Sequence, residues 1–414
     1  MSERELDDWL DGYLEYTQSS EPPTSYHVWC GLSVIAGTLQ RRVYLQQGLE
    51  RTIYPNLYVI LIGPSGRVRK GVAIGIAKDL LGKVSNVVIA PESTSGREAF
   101  CKIMNRAQNQ FADPSDNGKI KYHCAISAFS EELSVFLGQG DIKFLANLTD
   151  WYDSKDNWEY ESIGRGRDVL QGVCFNMVGA TAPEWIQSML PREAIGGGYT
   201  SRVIFVVEEW KKHLSPDHKL TERELALYDA LEHDLNRISL LAGSFEFEGA
   251  AKEAYIAWYT AEDQRMRNGI MPVDDPRFAA YCERRTTHLR KLMMILSASR
   301  GDSLTIELED FDRAMSLLTQ VEVKMGKTFG GLGAARYSDA TEKIKAYLQE
   351  IGTTTRQILL SKFYRDIDGE ALAKIETTLL QMGVITIKII PGTTNKLYVW
   401  IGEQKSQSHN GTGN

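Results

Sequence analysis

The sequence predicts a mixed α/β protein, and three observations carry the prediction. Short apolar runs recur between about residues 55 and 210, and they are continuous rather than alternating. Strands buried on both faces of a mostly parallel sheet read this way. Around and after them lie segments with apolar residues at helical spacing, as helices packed on such a sheet require. Finally, 414 residues with 43% hydrophobic and 24% charged content make an ordinary globular composition, long enough for more than one core.

Residues 1–50 read as a helical region, broken at "EPPTS" (Glu21 to Ser25) before "YHVWCGLSVIAGTLQRRV", because proline interrupts a helix. Residues 51–210 hold the runs "LYVILI" (57–62), "NVVIA" (86–90), "YHCAISAF" (122–129), "GVCFNMVGA" (172–180) and "RVIFVVE" (202–208). These are the expected sheet. Residues 211–330 are expected to be helical, with "ELALYDALEHDL" and "RRTTHLRKLMMILSAS" as examples. "FGGLGAARYS" (329–338) reads as a hinge. After it, residues 338–403 give three helices, "ATEKIKAYLQEIG", "TTRQILLSKFY" and "GEALAKIETTLLQMG", then two alternating strands around Pro391-Gly392. That is the pattern of a winged helix. The tail, 404–414, is polar and expected to be disordered.

Charge and cysteine usage exclude several classes. No stretch approaches 18 apolar residues, so no membrane span is expected. The acidic amphipathic start, "MSERELDDWLDGYLEY", argues against a secretory leader and for the cytoplasm. Five scattered cysteines form no C-x-x-C pair, against a disulfide framework or a structural zinc. A net charge of −7 gives no global basic signature, so any nucleic acid must be met by a local patch or the inside of a ring.

The most informative stretch is "LYVILIGPSGRVRKGVA". A strand runs into Gly63-Pro64-Ser65-Gly66, then cations, then a helix. Glycines after a strand let backbone amides face an anion, and the following helix adds its positive end. The standard spacing G-x-x-x-x-G-K-[ST] would place Val68 at glycine, Arg69 at lysine and Lys70 at the hydroxyl. Two alignments follow. A loop one residue longer makes Lys70 the phosphate-binding lysine, and a loop of standard length gives that role to Arg69. In the longer loop Gly71 stands where the hydroxyl belongs, so Mg²⁺ must lean on other ligands. Taken alone, the stretch also reads as a tight turn with surface cations.

Other strand ends strengthen the nucleotide reading. An NTPase needs carboxylates at the end of a buried strand, one for Mg²⁺ and one for the attacking water. "YHCAISAFSEEL" supplies Glu131 for the metal and Glu132 for catalysis, although Ser-Glu-Glu is also a good helix start. "VCFNMVGAT" ends at Thr181, placed to sense a γ-phosphate, whereas Asn176 lies inside the strand. Arg202, between "IGGGYTS" and the next strand, is a candidate arginine finger for a neighbouring subunit, or else a structural partner of a carboxylate. "NWEYESI" and "RDVLQG" pair as a hairpin that puts Arg165 and Arg167 at its tip. Such a tip suits phosphate backbone, or is merely a soluble turn. Lys388 and Lys396 on the wing are further candidates for DNA.

"YPNLYVILIGPSGRVRKGVA", "FSEELSVFLG", "VGATAPEW" and "GGGYTSRVIFVVEE" together resemble a family of phage- and prophage-encoded P-loop ATPases related to hexameric replicative helicases. The resemblance covers roughly residues 20 to 330. It implies an AAA+/RecA-like P-loop NTPase core with helical N-terminal and lid regions and a C-terminal winged helix similar to that of MCM helicases. It also implies ATP and Mg²⁺ as cofactors, and a homo-oligomer, normally a hexameric ring. Its function would be a replicative DNA helicase moving on single-stranded or forked DNA alongside replication proteins. The roles carried over are Lys70 on the phosphates, Glu131 and Glu132 as the acidic pair, Thr181 as sensor and Arg202 as finger. Two alternatives stay open: an ATP-binding initiator, loader or defence assembly protein with little hydrolysis, and a winged-helix DNA-binding regulator.

Overall fold

The computed structural model describes residues 3–46, 48, 52–93, 97–138, 142–162, 166–189, 197–217, 219–329, 338–364, 366–389 and 396–402. The chain is mixed α/β and divides into two units, Met1–Thr328 and Phe329–Asn414. The expected segments 1–50 and 51–210, and 211–330 up to Thr328, fall in the first unit.

The first unit is built on a five-stranded sheet: β1 (Tyr58–Ile62), β2 (Gln108–Asp113), β3 (Lys119–Ser130), β4 (Val173–Thr181) and β5 (Ile204–Val207). Their order across the sheet is β2-β3-β4-β1-β5. All neighbours run parallel except the β2–β3 hairpin. The run 86–90 forms a single parallel bridge, Ile89 to Ser127, rather than a strand. It still borders β3, with Ala90 N donating to Ser127 O at 2.8 Å. The β2 strand escapes an apolar-run reading because its sequence, "QNQFAD", is largely exposed.

Alternation along β4 shows how both faces are covered. Asn176 Nδ2 donates to Ser33 O at 3.0 Å, while Asn176 Oδ1 accepts from Leu57 N at 3.0 Å. This face carries the helix Thr24–Leu39, buried along nearly its whole length. The neighbouring Phe175 points the other way. It meets Phe100 at 5.4 Å and Phe136 at 6.2 Å between ring centroids, with Phe144 and Trp151 in the same cluster. Helices therefore lie on both faces, as a parallel sheet requires.

Register then sets the site. Ile62 lies opposite Thr181 and Val207, and Ser130 opposite Gly179. The carboxyl ends of β1, β3, β4 and β5 thus share one edge of the sheet. The chain leaves β1 toward β3 on one side and returns to β5 on the other, which makes β1 the switch point where open α/β sheets bind ligands. Residues 211–329 are mainly helical, notably Glu222–Ile238, Gly249–Arg267, Ala279–Arg300 and Leu308–Met325. Two short parallel pairs tie them in, Val43–Tyr44 with Gly243–Ser244 and Glu246–Phe247 with Thr305–Ile306. No helix among the described residues is long and apolar enough to cross a membrane.

The second unit has helices Ser338–Ile351, Arg356–Lys362 and Gly369–Gln381. Its antiparallel sheet has three strands, with Lys396–Trp400 between Thr353–Thr355 and Ile385–Ile389. Here the structure departs from the expected helix "TTRQILLSKFY". Three β-branched threonines form a strand instead, and the helix starts at Arg356, capped by Thr355. The core gathers Ile344, Leu348, Leu359, Leu372, Ile375, Leu379 and Tyr398. The hinge residues 330–337, the turn at Pro391-Gly392, the tail 404–414 and Arg165 lie outside the described residues.

Candidate nucleotide site

The loop after β1 is fixed by close approach at its first residue. A Cβ on Gly63 would lie 2.4 Å from Glu208 O and 2.7 Å from both Tyr26 Oη and Val68 Cγ2. Gly63 N donates to Thr181 O at 3.3 Å, and Tyr26 Oη donates to Ile62 O at 2.7 Å. Val68, fully buried, anchors the loop from below, while Ser65, Gly66 and Arg67 stay exposed. Arg67 lies 4.5 Å from the ring centroid of Trp210.

Arg69 adopts φ 53° and ψ 40°, the left-handed region, at a cost of about 1 kcal/mol for a non-glycine residue. The helix Lys70–Gly82 then begins. Arg69 is engaged, its Nε donating to Glu21 Oε2 at 2.8 Å. Lys70 folds back over the loop, with Nζ donating to Gly63 O at 2.5 Å and lying 3.4 Å from Pro64 O. Of the two alignments, Lys70 is the cation that the backbone aims across the loop. Partial burial lowers its pKa, opposed by the carboxylates of Glu132 and Glu184.

An open cleft of about 510 Å³ is lined by Ser65, Gly66, Arg69, Lys70, Gly71, Val72, Glu131, Glu132 and Ala182. Glu131 and Glu132 are both exposed at the end of β3. Glu132 is held by Ser130 Oγ on its backbone carbonyl, 2.9 Å, and by Ser134 Oγ on its carboxylate, 3.0 Å. Thr181 is buried beside the cleft, its hydroxyl donating to Ala182 O at 3.3 Å. Pro64 rims the loop as its second residue.

The residues present suit a magnesium nucleotide. Among the described residues no three His, Cys, Asp or Glu side chains form a metal cluster. Mg²⁺ is usually held by one or two carboxylates completed by substrate phosphates. Glu131 and Glu132 are the carboxylates that line this cleft.

Arg202 sits elsewhere. It ends the short helical turn Thr200–Arg202 just before β5, whose first residue Ile204 pairs with Val59, so it lies at the amino end of the sheet, opposite the loop. It is buried, with Nη1 on Gly198 O at 2.6 Å and Nη2 on Asp153 Oδ2 at 2.7 Å. Asn176, as described, is spent on the backbone of the core.

The hairpin Asn157–Ser162 with Gly166–Gln171 is antiparallel as expected. Arg167, exposed, pairs with Glu159 across it. Lys388 is exposed on its strand. Lys396 is engaged, its Nζ donating to the buried Glu376 at 2.6 Å in a cluster with Arg356 and Tyr398.

Sequence reasoning missed three residues. Glu184 follows Thr181 by three positions and faces Lys70 electrostatically; a third carboxylate just past a strand end was the available signal. Asp153, the partner of Arg202, and Glu21, which holds Arg69 and Lys211, had no local signal. No family model matches the chain, and no curated protein matches it.

Proposed function

We propose that the chain is a ring-forming, DNA-dependent ATPase of the helicase-related P-loop class, acting on single-stranded or forked DNA. The observation that carries this reading is the convergence of Lys70, Glu131, Glu132 and Thr181 at the carboxyl edge of one mostly parallel sheet. The strand order supports it too. β4 separates the loop strand from the acidic strand, leaving room between them for phosphates, metal and water.

In this reading the loop amides and the start of the Lys70–Gly82 helix bind the β- and γ-phosphates, with Lys70 exchanging loop carbonyls for phosphate oxygens. Glu131 would hold Mg²⁺, which would supply positive charge to the phosphate oxygens. Glu132 accepts the proton of the attacking water as the water oxygen bonds to the γ-phosphorus and the bridging oxygen leaves with ADP. Thr181 contacts the γ-phosphate. Arg202, too far from its own loop, serves the next subunit. The Asn157–Gln171 hairpin, through Arg165 and Arg167, meets the DNA backbone. The second unit is a winged helix in which Lys388 remains available for DNA, while Lys396 contributes to the internal cluster.

One observation favours the assembly-protein alternative with little turnover: Arg202 is already engaged by Asp153. Unwinding of a forked duplex decides between them. The helicase reading predicts ATP-dependent strand separation that is lost in Lys70→Ala. It also predicts that Lys70→Ala subunits mixed with Arg202→Ala subunits regain partial activity, because each composite site joins two chains. Tight ATP binding without strand separation or turnover selects the alternative.

A further inference from the structure

The loop helix carries glycine where a phosphate loop ordinarily carries the metal-binding hydroxyl, and the structure shows what occupies that space. A Cβ on Gly71 would lie 2.7 Å from Glu131 Oε2 and 3.3 Å from its Cδ. One turn further along, a Cβ on Gly75 would come within 3.9 Å of Glu131 Oε1. Residues four apart share a helix face, so the two glycines cut a notch, and the carboxylate of Glu131 lies in it. Two glycines within one turn cost helix stability. The closeness of the carboxylate is a reason to keep them.

We infer that Gly71 and Gly75 are positioning residues that seat Glu131 against the loop helix, so that its carboxylate replaces the missing hydroxyl as the protein's metal ligand. The inference rests on the nucleotide reading of the cleft and deepens it. A hydroxyl is a neutral oxygen, whereas a carboxylate is an anionic one that hard cations such as Mg²⁺ prefer. The exchange has a consequence a hydroxyl would not have. Without metal, a negative carboxylate beside the phosphates repels them. With metal, the same group would hold the cation whose charge attracts them. Nucleotide affinity therefore becomes unusually dependent on Mg²⁺, and that dependence is set by the notch.

The test is equilibrium binding of a fluorescent ATP analogue to the full chain, with Mg²⁺ and with EDTA, read as the ratio of the two dissociation constants. Circular dichroism and melting of every variant check folding. In wild type, Mg²⁺ should tighten binding, so that the ratio stands well above one. Glu131→Gln should bring the ratio near one and bind the analogue more tightly than wild type in EDTA. Gly71→Ala keeps the helix and adds only a methyl group, which displaces the carboxylate. Its ratio should fall several-fold while its EDTA affinity rises or holds. Gly75→Ala, at ordinary contact distance, should fall less. Gly71→Ser separates seat from hydroxyl, and its ratio should also fall because the carboxylate is displaced. A folded Gly71→Ala with the wild-type ratio overturns the inference while leaving the nucleotide reading intact. So does a Gly71→Ser whose ratio exceeds that of wild type, since a hydroxyl would then serve better than the seated carboxylate. If wild type binds no analogue in either condition, the nucleotide reading itself fails and takes the inference with it.

Discussion

The two edges of the central sheet handle charge in opposite ways. At the carboxyl edge, Glu131, Glu132 and Glu184 are exposed and Lys70 rests on loop carbonyls. At the amino edge, Arg202, His288 and Lys291 are almost wholly buried, each tied to named partners. His288 bridges Tyr152 Oη at 3.0 Å and Ser201 O at 3.1 Å. Lys291 donates to Tyr54 O at 2.8 Å and to Asn56 Oδ1 at 2.6 Å, and its burial depresses its pKa to about 7. Buried charge without a partner is costly, so the amino edge is fixed in the single chain. The carboxyl edge keeps its charged groups where a ligand can reach them.

The difference makes mutations at the two edges fail differently. Lys70→Ala should lower ATP turnover by about 10²- to 10³-fold, the range for removing one preorganised electrostatic group, while the melting temperature holds. A comparable loss of stability would make Lys70 a structural part of the loop. At the other edge, Asp153→Ala strands Arg202 in the interior and should cost about 3–5 kcal/mol of stability, measured by chemical denaturation. Arg202→Ala should leave nucleotide binding intact and lower turnover by about 10³-fold. If the folded variant turns over normally, Arg202 belongs wholly to the buried network.

Acid should act through buried histidines at both edges. Burial holds His27 and His123 at a pKa of about 4 and His288 at about 3, against 6.5 for the free side chain. Nearby cations push the same way. Their folded pKa values lie below the unfolded one, so the unfolded chain binds more protons throughout this window. Stability contributed by the neutral histidines is present above pH 6.5 and falls as pH drops toward 4, by on the order of 2 kcal/mol per histidine. Denaturation curves at pH 7 and pH 5 measure it, and His288→Asn should flatten part of the slope. The smallest effect is at Arg69. Arg69→Gly loses a half-exposed ion pair worth under about 1 kcal/mol and relieves a left-handed backbone worth about the same. Stability and turnover should both stay near wild type, and a large loss of turnover would restore the shorter-loop alignment.

How much was legible in the sequence follows from the same physics. Runs 57–62, 122–129, 172–180 and 202–208 announced four strands because both of their faces are buried. Gln108–Asp113 stayed hidden because an exposed hairpin strand needs no apolar run. Thr353–Thr355 stayed hidden because three residues show no period. That Lys70, Glu131 and Glu132 share one cleft was within reach, because groups at strand ends are local in sequence. The contacts of Arg202 with Asp153 and of Lys396 with Glu376 were not, since nothing local links residues 49 and 20 positions apart. The seat of Glu131 on Gly71 was half visible: the missing hydroxyl could be read, but not what filled its place.

The most direct measurement is ATP hydrolysis by the purified protein, with and without single-stranded DNA, beside Lys70→Ala, Arg69→Ala and Glu132→Gln. The account predicts turnover stimulated by DNA, lost in Lys70→Ala and Glu132→Gln and kept in Arg69→Ala. A wild-type protein that hydrolyses no ATP under any DNA condition would contradict it, as would turnover lost in Arg69→Ala and kept in Lys70→Ala.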